Sequence, residues 1–153
     1  MLAITPDLAA RFEVILGRHR LTYVRSSEEA MRALEGRYGL VILSVDFDES
    51  QMFSLLGDIR LHSAYRKVPI LCVLGTSTRR PMSDVTVEGL DHAVKAMRAN
   101  GFLDLQHFPD DESGNARIAR IVDFLIMIDG DLQHIARSTA EVEVPVERRR
   151  AAS

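Results

Sequence analysis

The chain of 153 residues is 46% hydrophobic and 27% charged, and its formal net charge of −3 makes it slightly acidic. This length accommodates one domain with a full hydrophobic core. The charge balance provides no basic field for nucleic acid or anionic lipid, and no apolar run approaches the roughly 18 residues that span a bilayer. We therefore expect a cytoplasmic protein with neither a nucleic-acid nor a membrane partner.

The first third of the chain alternates short strands with helices. Apolar spacing, helix caps and glycine stops predict a strand at 1–5, a helix opened by Pro6, a strand at 21–24, a capped helix over 26–36 and a strand at 40–43. The last strand is apolar throughout, so both of its faces must be covered, as in the centre of a parallel sheet. It ends in Ser44, followed by Asp46 and Asp48, at the edge where open α/β sheets place their ligands.

The same pattern continues through the remainder of the chain. It predicts helices over 52–62, 83–100 and 118–126, strands at 68–74 and 102–105, an interruption at Gly130, a helical extension over 130–140 and a disordered polar tail over 141–153. Five strands alternating with five helices predict a parallel sheet covered on both faces. The glycine-rich loops that bind dinucleotides or nucleoside triphosphates do not occur. Cys72, the only cysteine, falls in an apolar strand, where we expect an inert, buried thiol.

Four segments carry a resemblance to a known family. They are YGLVILS at 38–44, MFSLLGDIR at 52–60, YRKVPILCVLG at 65–75 and GFLDLQHFP at 101–109. Residues 1–129 resemble the receiver (CheY-like) domain of response regulators in two-component signal transduction. The resemblance implies a flavodoxin-like (βα)5 fold, a three-layer α/β sandwich with a parallel sheet in the order 2-1-3-4-5.

The positions that carry phosphotransfer in receivers depart from the family pattern. Receivers take a phosphoryl group onto an aspartate at the end of the third strand, assisted by carboxylates that hold Mg²⁺, a hydroxyl residue and a lysine. The corresponding positions of this chain are Ser44 for the acceptor, Thr5 and Pro6 for the acidic pair with Asp7 one residue later, Leu74 for the hydroxyl and Phe108 for the lysine. The resemblance therefore implies a pseudo-receiver with no catalytic residue and no cofactor.

Alternatives remain for the same region. Asp46 and Asp48 could form an unconventional acidic site for phosphorylation or a small ligand, and with Asp7 they are weak candidates for a cation site. A shifted register would instead bring Asp46, Thr76 or His107 into play. We expect the carboxylates to be a solvated rim with loop and cap roles, Ser44 to be a hydrogen-bonded residue at a strand end, and Phe108 to fill the volume of the missing lysine.

The function indicated by the resemblance is a non-enzymatic signalling module that binds a protein partner, either a signalling protein or an output domain. Receivers commonly use the face formed by the fourth helix, fifth strand and fifth helix, here 83–129. The face residues expected to take part are Val94, Met97, Leu105, Phe124, Met127 and Ile128. The last helix carries more apolar residues than one buried stripe needs, which predicts a homodimer through this face. A fold-back of the segment after Gly130 is the alternative cover.

Overall fold

The computed structural model describes residues 1–76 and 82–140, with side chains described as far as Asp129. A four-stranded parallel sheet has the order β1-β2-β3-β4, with the strands at Leu2–Ala3, Val41–Ser44, Ile70–Leu74 and Gly101–Asp104. Five helices connect and follow them, named α1 to α5 in chain order: Pro6–Ile15, Ser27–Ala33, Met52–Leu61, Asp84–Ala96 and Glu112–Ala140. The alternation of strands and helices agrees with the α/β fold predicted from the sequence.

The strand predicted at 21–24 is reduced to an isolated parallel bridge between Tyr23 and Leu2. Two backbone hydrogen bonds hold this segment, from Leu2 N to Thr22 O at 2.8 Å and from Val24 N to Leu2 O at 3.1 Å. The predicted five-stranded sheet in the order 2-1-3-4-5 is therefore wrong in strand number. The physical reason is the shortness of β1, because α1 begins at Pro6 and leaves the neighbouring segment almost nothing to pair with. The segment still lies against β1, its predicted neighbour.

Helices cover both faces of the sheet, so the molecule is a three-layer sandwich. Along β2, Val41 and Leu43 belong to one buried cluster, which is closed by α2, α3 and α4. Ile42 belongs to a second cluster, which is closed by α1 and α5. Successive strand residues point to opposite faces, so a strand between two helical layers needs apolar residues at every position. This confirms the prediction drawn from the unbroken apolar run.

Local helix signals are found where the sequence indicated them. Pro6 occupies the first turn of α1, and the Ser26 Oγ accepts a hydrogen bond from Glu29 N at 3.1 Å, which caps α2. However, α5 runs without a break past Gly130, so the predicted interruption there is wrong. Residues 131–140 consequently continue away along the helix axis instead of folding back. The predicted tail at 141–153 lies outside the described residues.

A buried guanidinium organises the amino edge of the sheet. The Arg60 side chain donates hydrogen bonds at 2.7–3.0 Å to the carbonyl oxygens of Tyr65, Val68 and Arg98 and to the Asn100 side chain. Burial, followed by the nearby positive charge of Arg98, lowers the pKa of Arg60. This residue ties α3 to the starts of β3 and β4. In the part of the chain that the structure describes, no helix is long and apolar enough to cross a membrane.

Candidate functional site

A cleft of about 920 Å³ opens at the carboxyl edge of the sheet, where the connections that follow the four strands meet. Its lining includes Thr5, Asp7, Ser44, Leu74 and Phe108, which are residues assigned from the sequence to the receiver site. Asp46 and Thr76 also line it. Pro6 opens α1, while Asp48 makes its contact at α2. The structure thus brings most of the sequence-assigned positions together in one cleft.

Ser44 is buried at the end of β2, where it pairs in register with Val73 of β3. Its Oγ accepts a hydrogen bond from the backbone N–H of Thr5 at 3.3 Å. The hydroxyl therefore joins the end of β2 to the residue that precedes α1. A serine nucleophile needs a general base within hydrogen-bond reach, and Ser44 is not hydrogen-bonded to any carboxylate or histidine among the described residues. This geometry agrees with the structural role expected for the side chain.

The Asp48 carboxylate is hydrogen-bonded to the first residue of α2. Its Oδ2 accepts a hydrogen bond from Ser27 N at 2.8 Å, at the start of α2. This bond lowers the pKa of the Asp48 carboxyl below its ordinary value. Asp48, Glu49 and Ser50 all have positive φ, at 47°, 55° and 68°, so the turn after Phe47 is left-handed. The sharp turn directs the Asp48 side chain towards α2, and Asp46 alone of the two lines the cleft.

The three candidate carboxylates do not come together as one group of metal ligands. This ion prefers near-octahedral oxygen coordination by carboxylates, carbonyls and water. Within residues 1–76 and 82–140, no group of three or more His, Cys, Asp or Glu side chains could hold a metal ion. Asp7, Asp46 and Asp48, proposed from the sequence as weak candidates, therefore form no such group. The position of Asp48 against α2 explains why the third member is missing.

Arg11 is a cleft residue that the sequence reasoning did not identify. Its side chain is only 8% exposed, although it comes from the middle of α1. The Nη2 donates to the carbonyl oxygens of Phe108 and Pro109 at 2.7 and 2.9 Å, and the Nε donates to Asn115 Oδ1 at 2.9 Å. Asp110 Oδ1 lies 3.4 Å from the Nε. A signal was available: Arg11 follows Asp7 by four residues and so shares its helix face.

Phe108, at the position assigned to the receiver lysine, contacts one arginine through its ring and another through its backbone carbonyl. Phe108 is half-buried and packs against the cluster of α1 and α5. The Arg117 guanidinium carbon lies 4.7 Å from the centre of the Phe108 ring. The backbone carbonyl oxygen of Phe108 accepts a hydrogen bond from Arg11. Leu74, at the hydroxyl position, is buried. Apolar side chains thus stand at the two positions that were assigned from the sequence to the hydroxyl and the lysine of receivers.

Two residues of the predicted interaction face are buried in the core. Val94 and Leu105 are buried, and Met97 is half-buried beside Gly57 of α3. The apolar stripe of α4 faces the interior, because a helix beside a sheet buries its one stripe in the core. Val94 and Leu105 are therefore not available to a partner, whereas Met97 remains partly exposed.

The apolar surplus on α5 is exposed as predicted. Phe124 and Met127 are each 55% exposed, and Ile128 is 37% exposed. The opposite side of the same helix buries Ile118 and Val122. We call Phe124, Met127 and Ile128 the α5 stripe.

No model of a known protein family matches the chain, and no curated protein matches it. Solved structures do. A response regulator from Hahella chejuensis superposes with a TM-score of 0.64 and 19% identity, over 84% of this chain and 94% of that protein. The signal receiver domain of a histidine kinase from Syntrophus aciditrophicus gives a TM-score of 0.60 and 19% identity, over 99% and 95%.

A third similar structure is the receiver domain of a sensor histidine kinase from Pseudomonas aeruginosa, with a magnesium ion coordinated in its active-site cleft. Its TM-score is 0.60 and its identity 20%, over 82% of this chain and 93% of that domain. The three proteins share an architecture with this chain. Because their sequence identities to it are only 19–20%, the similarity shows the fold alone. The chain therefore has the fold of a response-regulator receiver (CheY-like) domain.

Proposed function

We propose that this chain is a pseudo-receiver, a non-enzymatic signalling module that acts by binding other proteins and takes no phosphoryl group at the receiver acceptor position. The observation that carries the proposal is the state of that position. A buried serine hydroxyl bonded to Thr5 N occupies it, and the neighbouring cleft positions present Leu74 and Phe108. Phosphotransfer needs a carboxylate nucleophile, metal ligands and a cation together.

The contacts of Arg11 support a module with one resting conformation. A receiver that switches between two conformations needs connections around its acceptor site that can change position. Here the connection between β4 and α5 is already bonded to α1 through the carbonyls of Phe108 and Pro109 and the side chain of Asn115. Its signalling surface is therefore presented without a phosphorylation event.

A second candidate function rests on Asp46, which is exposed and lines the cleft together with Asp7. In that reading the chain is phosphorylated at Asp46 or binds a small ligand there. The first reading is preferred because Asp48, the other carboxylate of this turn, is bonded to α2.

Incubation with acetyl phosphate and Mg²⁺, followed by intact-mass spectrometry, separates the two readings. We expect the mass of the wild-type chain to stay unchanged, as should that of an Asp46→Asn variant. A phosphoryl adduct on the wild type that is absent from the variant would establish Asp46 as an acceptor and overturn the pseudo-receiver.

The surface proposed for binding is the α5 stripe, and the occupant is a second copy of the chain. An exposed apolar stripe on a helix is stable in water when another surface covers it. A two-fold dimer is the commonest symmetric way to do so. Residues 131–140 extend along the helix axis and do not fold back over the stripe.

The oligomeric state tests this surface. We expect the wild-type chain to sediment as a dimer and Met127→Glu to sediment as a monomer with an unchanged circular dichroism spectrum, because a charge cannot be buried unpaired. Leu61→Glu is the matched control, since Leu61 is a 76% exposed apolar residue on α3. It should remain dimeric. A wild-type monomer at high micromolar concentration would remove the dimer from the proposal.

A further inference from the structure

A second cavity, of about 260 Å³, lies at the opposite edge of the sheet from the cleft. We call it the amino-edge cavity. It is enclosed by the start of β2, the segment after α1, the connection between α2 and β2, and the middle of α5. Its apolar lining includes Leu2, Leu16, Leu40, Ile42, Val122 and Ile126. These residues belong to the cluster packed between the sheet and the helices α1 and α5.

The polar lining of the amino-edge cavity is basic. Arg20, Arg37 and His19 line it, and no aspartate or glutamate does, among the residues that the structure describes. The chain as a whole has more acidic than basic residues, with a net charge of −3. Asp123 lies outside the lining, 3.4 Å from His19 Nε2, and it also accepts a hydrogen bond from Arg18 at 2.7 Å. The cavity therefore concentrates positive charge on an acidic protein.

The two arginines of the cavity differ from the structural arginines elsewhere in the chain. Arg11 and Arg60 each make several hydrogen bonds to carbonyl oxygens. Arg20 and Arg37 are exposed, and within the described ranges neither makes a hydrogen bond or an ion pair. They come from two separate connections and meet at one cavity. A guanidinium presents a planar fork of donors that matches a carboxylate.

We propose that the amino-edge cavity binds a small amphiphilic carboxylate, with its apolar body against the leucine and isoleucine lining and its carboxylate between Arg20 and Arg37. The volume lies slightly below the usual range for ligand pockets, which is roughly 300–1,000 Å³. It has room for roughly nine groups of the size of a water molecule, taking about 30 Å³ for each. A straight-chain carboxylate such as octanoate fits this volume. This site is separate from the cleft and does not depend on the proposed signalling function.

The first test compares three probes by titration of the full chain, followed by amide chemical shifts. Octanoate should bind saturably and shift the amides of Arg20, Gly39 and Leu40. Acetate has the charge without the apolar body, and 1-octanol has the body without the charge. Each should bind at least about tenfold more weakly, because one half of the site is then unused. Equal binding of octanoate and 1-octanol would overturn the role of the arginines.

Variants locate the binding. The double variant Arg20→Gln and Arg37→Gln should weaken octanoate binding about tenfold or more. Arg18→Gln is the matched control: Arg18 is a 74% exposed arginine that lies outside the lining and bonds to Asp123. It should change the affinity less than about twofold. An unchanged affinity in the double variant, or an equal loss in the control, would refute the site.

A third variant tests the apolar body. A Cβ added at Gly39 meets no atom within 4 Å, and the residue lines the cavity, so Gly39→Leu should fold and occupy part of the space. Octanoate binding is then expected to fall about tenfold while the urea unfolding midpoint stays close to that of the wild type. Retained affinity, or amide shifts confined to the cleft or to the α5 stripe, would place the ligand elsewhere and overturn the inference.

Discussion

Replacing Arg11 with methionine would test whether this side chain fastens the connection between β4 and α5. Methionine keeps the apolar stem on α1 and removes the guanidinium. Three hydrogen bonds of 2.7–2.9 Å are lost, to the carbonyls of Phe108 and Pro109 and to the side chain of Asn115. The loss of stability therefore reports on these bonds together with the ion pair to Asp110.

The magnitude follows from the exposure of the acceptors. A hydrogen bond to a charged group contributes about 1.5–3 kcal/mol, but Pro109 is exposed, so its carbonyl can return to water. The ion pair with Asp110, which is 70% exposed, adds about 1 kcal/mol at most. Removing a guanidinium that is only 8% exposed also recovers part of its desolvation. We expect Arg11→Met to lower the free energy of unfolding by about 2–3 kcal/mol.

Urea denaturation followed by circular dichroism measures this change. Arg18→Met is the matched control, because its exposed ion pair with Asp123 should contribute less than about 1 kcal/mol. Hydrogen exchange should also rise at the amides of Gly114 and Asn115, which are bonded to Asp111 near the fastened connection. A loss below about 0.5 kcal/mol for Arg11→Met would refute the fastening role.

Three further predictions follow from the site and the core. Phe108→Ala should lower the free energy of unfolding by about 1.5–3 kcal/mol, which is less than for a fully buried phenylalanine because the ring is half-buried. Arg117→Gln should lower it by less than about 1 kcal/mol. Urea denaturation measures both changes, and equal losses would contradict the packing role of Phe108. Burial raises the pKa of Cys72 to about 12, so a thiol reagent at pH 8 should label the native chain far more slowly than the unfolded chain, and fast native labelling would contradict its burial. The pKa of Asp48 is depressed in the folded chain, so its contribution to stability is present above the ordinary value of 3.8 and is lost as the pH falls through the lower folded pKa. The difference in urea midpoint between the wild type and Asp48→Asn should therefore be seen at pH 7 and shrink in strong acid. A difference that persisted in strong acid would contradict the bond to Ser27.

The sequence alone determined the features that depend on neighbours in the chain. The unbroken apolar run at 40–43 required a strand covered on both faces. Pro6 set the start of α1, and the pairing of Ser26 with Glu29 set the start of α2. Each of these signals acts over a few residues and has few alternative structures. The same holds for Ser44, whose place at the end of a strand was predictable because the apolar run stops there.

Tertiary structure decided what distant segments do to one another. The segment 21–24 has the composition of a strand, yet it forms a single bridge because its neighbour β1 is only two residues long. Whether the apolar side of α4 faced the core or a partner could not be inferred from its spacing, since both arrangements require the same stripe. In the structure the apolar side of α4 packs against the sheet, and Val94 is buried.

Arg11 and the arginines of the amino-edge cavity show most clearly what only the tertiary structure decides. The partners of Arg11 lie 97 to 104 residues away along the chain, and the lining of the amino-edge cavity spans residues 1 to 126. A guanidinium in the sequence indicates only a charge that must be hydrated or paired. Which of these it becomes depends on the carbonyls, cavities and carboxylates that the fold brings within about 3 Å of its nitrogens.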